Sequence, residues 1–366
     1  MKLHRIVFTS FALTIAASLS TATHAKTSMK SIGALEIGPG GILFAADPKG
    51  AAIYAIEMHP ARSNKPGGKL DVAALDKKVA ALLGTAADQI TINDLAVQPG
   101  KPPVAYLSVS RGKGPDAAPA LVMIAPDGAM VLFSLADAKS TSVSLDNAPA
   151  DEVTGQGRRK RNKRMESITD LAFVDGKLAV AGLSNEEFAS TLRVIPFPFE
   201  EGKASSSGIQ IYHGAHGKEE THSPIRTFIP MDIGGEPNII ASYTCTPLVR
   251  IPVKQLKPKA NVTGTTIAEL GNRNKPLDMI EYSSNSKRFI LMANSSRGVM
   301  KVSTEGIDKV EPIVARVGGG ETAGLKYETI EDWKGVVQLA KLGETHALVV
   351  KKSEDGSHSL EQLKLP

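Results

Sequence analysis

One phrase, written six times with variation, limits what this chain can fold into more than any other feature. Asn93-Asp94-Leu95-Ala96-Val97 and Thr169-Asp170-Leu171-Ala172-Phe173 are short runs of strand character. Each is followed by a turn (Pro99-Gly100; Asp175-Gly176) and a second apolar run (Ala105-Tyr106-Leu107; Leu178-Ala179-Val180). Units of this kind begin near residues 34, 94, 170, 226, 278 and 336. Most carry a third run, such as Ile53-Tyr54-Ala55-Ile56 or Leu192-Arg193-Val194-Ile195. A unit of three or four antiparallel strands cannot bury both faces alone, and six of them packed round a ring can. The expected fold is therefore all-β: a six-bladed β-propeller of antiparallel blades, spanning residue 30 to the C-terminus, its last blade completed by the segment near Lys30. One short helix is expected on the outside of the ring, inserted between blades one and two. Asp71 can cap it, Val72, Leu75, Val79, Leu82 and Leu83 share a face, and Gly84 can end it.

The stretch from Asp170 to Ala181, Asp-Leu-Ala-Phe-Val-Asp-Gly-Lys-Leu-Ala-Val-Ala, resembles the repeats of NHL-type, YVTN-type and SMP-30/gluconolactonase-type β-propellers. The resemblance runs over most of residues 30–365 and lies in the repeat grammar. It implies the propeller fold. Through the SMP-30-like kind it also implies a divalent metal in the channel, with Asp170, Asn185 and Asp278 in ligand positions, serving hydrolysis of a lactone or ester.

Residues 1–25 read as a secretory signal: Lys2 and Arg5, an apolar run from Ile6 to Leu19, then small residues to Ala25. The mature chain, 26–366, is expected as a single domain in the periplasm or medium, with no transmembrane segment. The formal net charge of +5 falls to +3 with the signal removed, and six of the remaining positive charges sit between Arg158 and Arg164. The basic character thus belongs to one segment, expected as a mobile loop over about 151–165. No aromatic residues interleave with it, so nucleic acid is not an expected partner. A single cysteine, Cys245, excludes an internal disulfide framework.

Propeller geometry gathers a candidate site from residues far apart in sequence. Neighbouring strands are antiparallel, so the starts of inner strands and the ends of second strands share one face. Those positions hold Asp94, Asp170, Arg226 and Asp278, and Arg111, Asn185, Cys245, Asn294 and Arg297. They are expected to converge on the channel and bind a ligand. The string Tyr212-His213-Gly214-Ala215-His216-Gly217-Lys218-Glu219-Glu220-Thr221-His222 leads into the fourth inner strand. His213, His216, His222 and Glu220 are the donor types a divalent transition metal takes up. The same string also reads as a flexible polar loop, or as histidines bonded to neighbouring blades. Cys245 is either a buried small hydrophobe or, if it faces the channel, a reactive thiol or soft metal ligand. No nucleophile elbow, dinucleotide fingerprint, P-loop or haem-attachment motif is present. Two functions follow: an exported propeller that binds a small-molecule ligand or an exported protein partner on its channel face, or a metal-dependent hydrolase.

Overall fold

The computed structural model describes residues 28–58, 69–157 and 160–366. Residues 1–25, expected to be a secretory signal, and Arg158 and Arg159 lie outside these residues. The second strand of each blade is a near-continuous apolar run, as in Ile42–Asp47 or Lys177–Leu183, and it is buried on both faces. A sheet built on such a strand must be covered on both sides, and a ring of blades does this. The six inner strands are Leu35–Ile37, Ile90–Gln98, Asp170–Val174, Thr227–Ile233, Pro276–Ser284 and Val336–Leu342. Each pairs antiparallel with the strand that follows it. We number the blades 1 to 6 in chain order.

Six apolar clusters fill the spaces between blades, one at each joint. Phe44, Ile53, Leu178 and Val180 join blades 1 and 3. Leu43, Ile56, Tyr106 and Leu121 join blades 1 and 2. Leu107, Val122, Leu348 and Val350 join blades 2 and 6. The remaining clusters join 3 to 4, 4 to 5 and 5 to 6. Round the ring the order is therefore 2-1-3-4-5-6: the first two blades are exchanged relative to the chain.

The chain achieves this exchange by leaving blade 1 unfinished. After the third strand, Ala52–Glu57, it reaches the outer edge of blade 6, where Val72 exchanges both backbone hydrogen bonds with Leu360. It then forms the helix Leu75–Leu82 and builds all of blade 2. Only afterwards does Ser140–Ser144 return as the fourth strand of blade 1.

This corrects the expected architecture in three respects. The helix lies in space between blades 2 and 6, with Leu75 and Val79 in the joint they share, and not between blades 1 and 2. The blades are antiparallel within themselves, but Asn261–Thr263 adds to the outer strand of blade 3 in parallel. The edge of blade 6 is covered by Val72, while the segment at Lys30 and Ser31 bonds Asp47 of blade 1 instead. Asp71 does not cap the helix. It accepts a hydrogen bond from the Gln362 amide and so reinforces the same closure. Gly84, at φ +64, does end the helix.

The basic segment carries a two-residue ladder, Val153–Thr154 against Arg161–Asn162, and a short 3-10 turn over Lys163–Glu166. The Arg164 guanidinium bonds the Pro149 carbonyl, and Asn162 bonds Asp151. No helix among the described residues is long and apolar enough to cross a membrane.

Candidate functional site

An inner strand has a free edge along the channel, so its outward N–H groups need acceptors from elsewhere. Aspartates supply them on alternate blades. Asp94, Asp170 and Asp278 occupy one position of the inner strands of blades 2, 3 and 5. Each accepts from the following amide in its own strand (Leu95, Leu171, Met279) at 2.7–2.8 Å. The second oxygen of each accepts from the neighbouring blade: Leu35 at 2.7 Å, Phe228 at 2.8 Å and Leu339 at 2.5 Å. The corresponding residues on the intervening blades are Ala34, Thr227 and Gln338, and Gln338 donates to the Asn93 carbonyl across the joint of blades 6 and 2. Glu36 ties blade 1 to blade 3 by accepting from Phe173 at 3.0 Å.

These four carboxyl groups line a channel cavity of about 370 Å³. Burial pushes Glu36 up to about 8 and Asp170 to about 6, against the opposing pull of the backbone amides. Asp94 and Asp278 are raised by burial and by the neighbouring aspartates. Groups raised in this way keep protons that the unfolded chain releases from about pH 4 upward. Their contribution to stability is full below that pH and is lost as pH rises through about 6 to 8. Melting temperatures measured from pH 4 to 8 should therefore fall, and Asp170→Asn should flatten the slope. A wild-type Tm rising steadily over this range would contradict the assignment.

Above the acid ring the channel opens into a mouth of about 520 Å³, with walls from all six blades. Here the starts of inner strands meet the ends of second strands: Asn93 and Ser110, Thr169, Arg226, Lys275, Gln338 and Lys352. Arg226 bonds Glu166 at 2.8 Å and Thr244 at 3.3 Å. Lys275 has no salt bridge among the described residues. Loss of solvent, followed by the nearby Arg226 charge, draws its ammonium below the ordinary value. The mouth therefore sets Arg226, Lys275 and Lys352 against a single carboxylate, Glu166, whose Oε2 is buried without a hydrogen-bond partner. Lys275, Lys352, Glu166 and Glu36 escape the sequence reading. Lys275 directly precedes the inner strand of blade 5 as Arg226 precedes that of blade 4, a signal that was there to use.

The other expected site residues are dispersed. Arg111 is exposed at the end of its strand, near Gly84 beyond the helix. Asn185 and His222 share a rim pocket with Pro149 and Glu152, so Asn185 is not beside Asp170 and Asp278, and the ligand set implied by the SMP-30 resemblance does not assemble. Asn294 is buried and donates to Asn274, and Arg297 donates to the Asn272 carbonyl. Both hold the loop 271–274, which in turn braces the turn bearing Cys245.

His213 and His216 lie on the hairpin that ends the outer strand of blade 3, at the crevice with blade 4 and away from the channel axis. Their rings are 3.9 Å apart. Both Nδ1 atoms meet Glu220, at 3.0 and 2.6 Å. Burial alone would raise Glu220, but hydrogen bonds from both histidines and from Ser223 outweigh it and hold the carboxyl down to about 2. Gly214 passes so close to Glu269 that a Cβ would sit 2.9 Å from its carboxylate, and its amide donates to Glu269 Oε1 at 2.5 Å. Cys245 faces this pair from blade 4. It sits at φ +66 and Thr246 at φ +50, two successive left-handed residues without the freedom of glycine. The Cys245 amide bonds Asn274 and the Thr246 hydroxyl bonds Gly271, which hold that conformation.

No family model matches the chain, and no curated protein matches it. Among solved structures it is similar to a glucose dehydrogenase, at 10% identity and a TM-score of 0.34, over 93% of this chain and 98% of that one. A PQQ-bound aldose sugar dehydrogenase from Streptomyces coelicolor gives 11% identity and a TM-score of 0.32, over 93% and 96%. A GH43 glycoside hydrolase with an engineered active site gives 9% and 0.40, over 81% of this chain and 52% of that one.

Proposed function

We propose that this chain is a binding propeller that holds a small anionic molecule, carboxylate- or phosphate-bearing, in the mouth of its channel. The observation that carries the reading is the charge of that mouth. Three cations from blades 4, 5 and 6 face one cavity whose wall contains a single carboxylate. The volume suits a small metabolite, and Asn93, Ser110, Thr169 and Gln338 offer polar edges for orientation. A bound anion would also offset the desolvation and the Arg226 repulsion that draw the Lys275 ammonium below its ordinary value. The signal-like N-terminus supports work outside the cytoplasm, on solutes of the periplasm or medium.

Calorimetric titration of the mature chain with acetate, succinate, citrate and inorganic phosphate tests this. At least one multivalent anion should bind one to one, more weakly as salt rises. Charge-assisted hydrogen bonds are worth about 1.5–3 kcal/mol, so Lys275→Ala should weaken that binding by about tenfold or more. Arg111→Ala, exposed and off the mouth, should leave it unchanged. Binding that Lys275→Ala does not touch, or none with any probe, would remove the reading.

A further inference from the structure

The cluster on the crevice between blades 3 and 4 plays no part in anion binding, and it carries a separate inference. We infer that His213, His216 and Cys245 form a three-ligand site for a zinc-class divalent cation, with a fourth position open to water. One ligand atom from each of the three lies within 4.8 Å of the other two. Around a tetrahedral zinc, with bonds of about 2.0–2.1 Å to nitrogen and 2.3 Å to sulfur, such atoms stand roughly 3.3–3.6 Å apart. An inward shift of about an ångström closes that difference.

The second observation is independent of the spacing. His213 is only 2% exposed, and its Nε2 has no hydrogen-bond partner. A buried polar atom left unpaired costs about 1–3 kcal/mol, and native structures seldom tolerate one without a reason. Glu220 explains which nitrogen is free. By taking both Nδ1 positions it fixes each imidazole in the tautomer whose Nε2 carries a lone pair. A carboxylate behind a histidine, orienting it and raising its basicity, is how ligating imidazoles are commonly supported. A second orphan lies close by. Glu269 is 1% exposed, and its Oε2 is also without a partner. Two imidazoles, a thiol, the buried Glu269 carboxyl and the half-buried Glu220 carboxyl therefore meet in one crevice, where His213 Nε2 and Glu269 Oε2 have no hydrogen-bond partner among the described residues.

The donor set selects the class of metal. Imidazole nitrogen and thiolate sulfur suit zinc and its cobalt substitute, and they disfavour calcium and magnesium, which take oxygen. His216 is 45% exposed on its side chain, so the ion would keep one side toward solvent. Glu220 stands behind the ligands and His222 lies outside the group, which revises the set His213, His216, His222 and Glu220 expected from sequence. The strained turn gains a purpose as well, because two left-handed residues are what turn Cys245 toward blade 3.

Cobalt titration of the metal-stripped, reduced mature chain tests the site. The expected result is one equivalent bound, with tetrahedral visible bands and a sulfur-to-cobalt charge-transfer band. Cys245→Ser should keep the fold and lose the charge-transfer band. Glu220→Gln should weaken binding by about 10- to 100-fold, the usual effect of removing a carboxylate behind a ligating histidine. His222→Ala should match wild type. The inference is overturned if cobalt does not bind to folded protein, if Cys245→Ser leaves the spectrum unchanged, or if Asp170→Asn abolishes binding and so places the ion in the channel. Anion titration of Cys245→Ser keeps the two sites apart: citrate or phosphate binding at the mouth should survive this change.

Discussion

Asp170→Ala is expected to destabilise the ring by about 2–6 kcal/mol. Its carboxylate accepts the amides of Leu171 in its own blade and Phe228 in the next, both buried residues. Alanine leaves both N–H groups without an acceptor, at about 1–3 kcal/mol each. Asp170→Asn keeps one oxygen and should cost about half as much. Asp94 and Asp278 stand in the same relation to blades 1 and 6, so their alanine variants should behave alike. Chemical denaturation at fixed pH reads these values. Equal and negligible costs for all three would mean that channel water replaces the carboxylates, and the ring would then be held by its apolar joints alone.

Leu75→Ala should cost about 2–5 kcal/mol, the range for truncating a fully buried leucine, and Leu82→Ala should fall within about 0.5 kcal/mol of wild type. Leu75 is 0% exposed and belongs to the cluster between blades 2 and 6, whereas Leu82 is 37% exposed. The difference measures how far the helix closes the ring. Residues Val72 to Leu83 connect the chain's early and late blades, since Val72 bonds Leu360 and Asp71 bonds Gln362. If both variants unfold at the same denaturant concentration as wild type, the helix is an ornament and closure rests elsewhere.

Much of this fold is legible in sequence because strand chemistry repeats. Asp94-Leu95, Asp170-Leu171 and Asp278-Met279 mark the same point in three blades, and the apolar second strands follow each one. The order of the blades is not legible. Blades 1 and 2 have the same local grammar, and which neighbour each packs on depends on where the chain goes between Glu57 and Ile90. Nor does Ser140–Ser144, with one apolar residue in five, announce itself as the outer strand of a blade that began a hundred residues earlier. The site follows the same division. Antiparallel pairing brings Arg226, Asn93 and Ser110 to one mouth. It says nothing of radius. His213 ends an outer strand and Cys245 a second strand, so they share a face with the channel residues but meet at the crevice of blades 3 and 4. The approach of Cys245 depends on a left-handed turn braced by Asn274 and Gly271, and no local pattern encodes that.

One face of the ring is expected to carry two separate sites: a cationic mouth on the axis and a His–Cys centre off it. Anomalous diffraction from crystals of residues 26–366 soaked with cobalt and selenate tests this in one experiment. The expected result is a cobalt peak bounded by His213, His216 and Cys245, and a selenium peak beside Arg226 and Lys275. Cobalt seated among Asp94, Asp170 and Asp278, with no density at the His–Cys cluster, would contradict it.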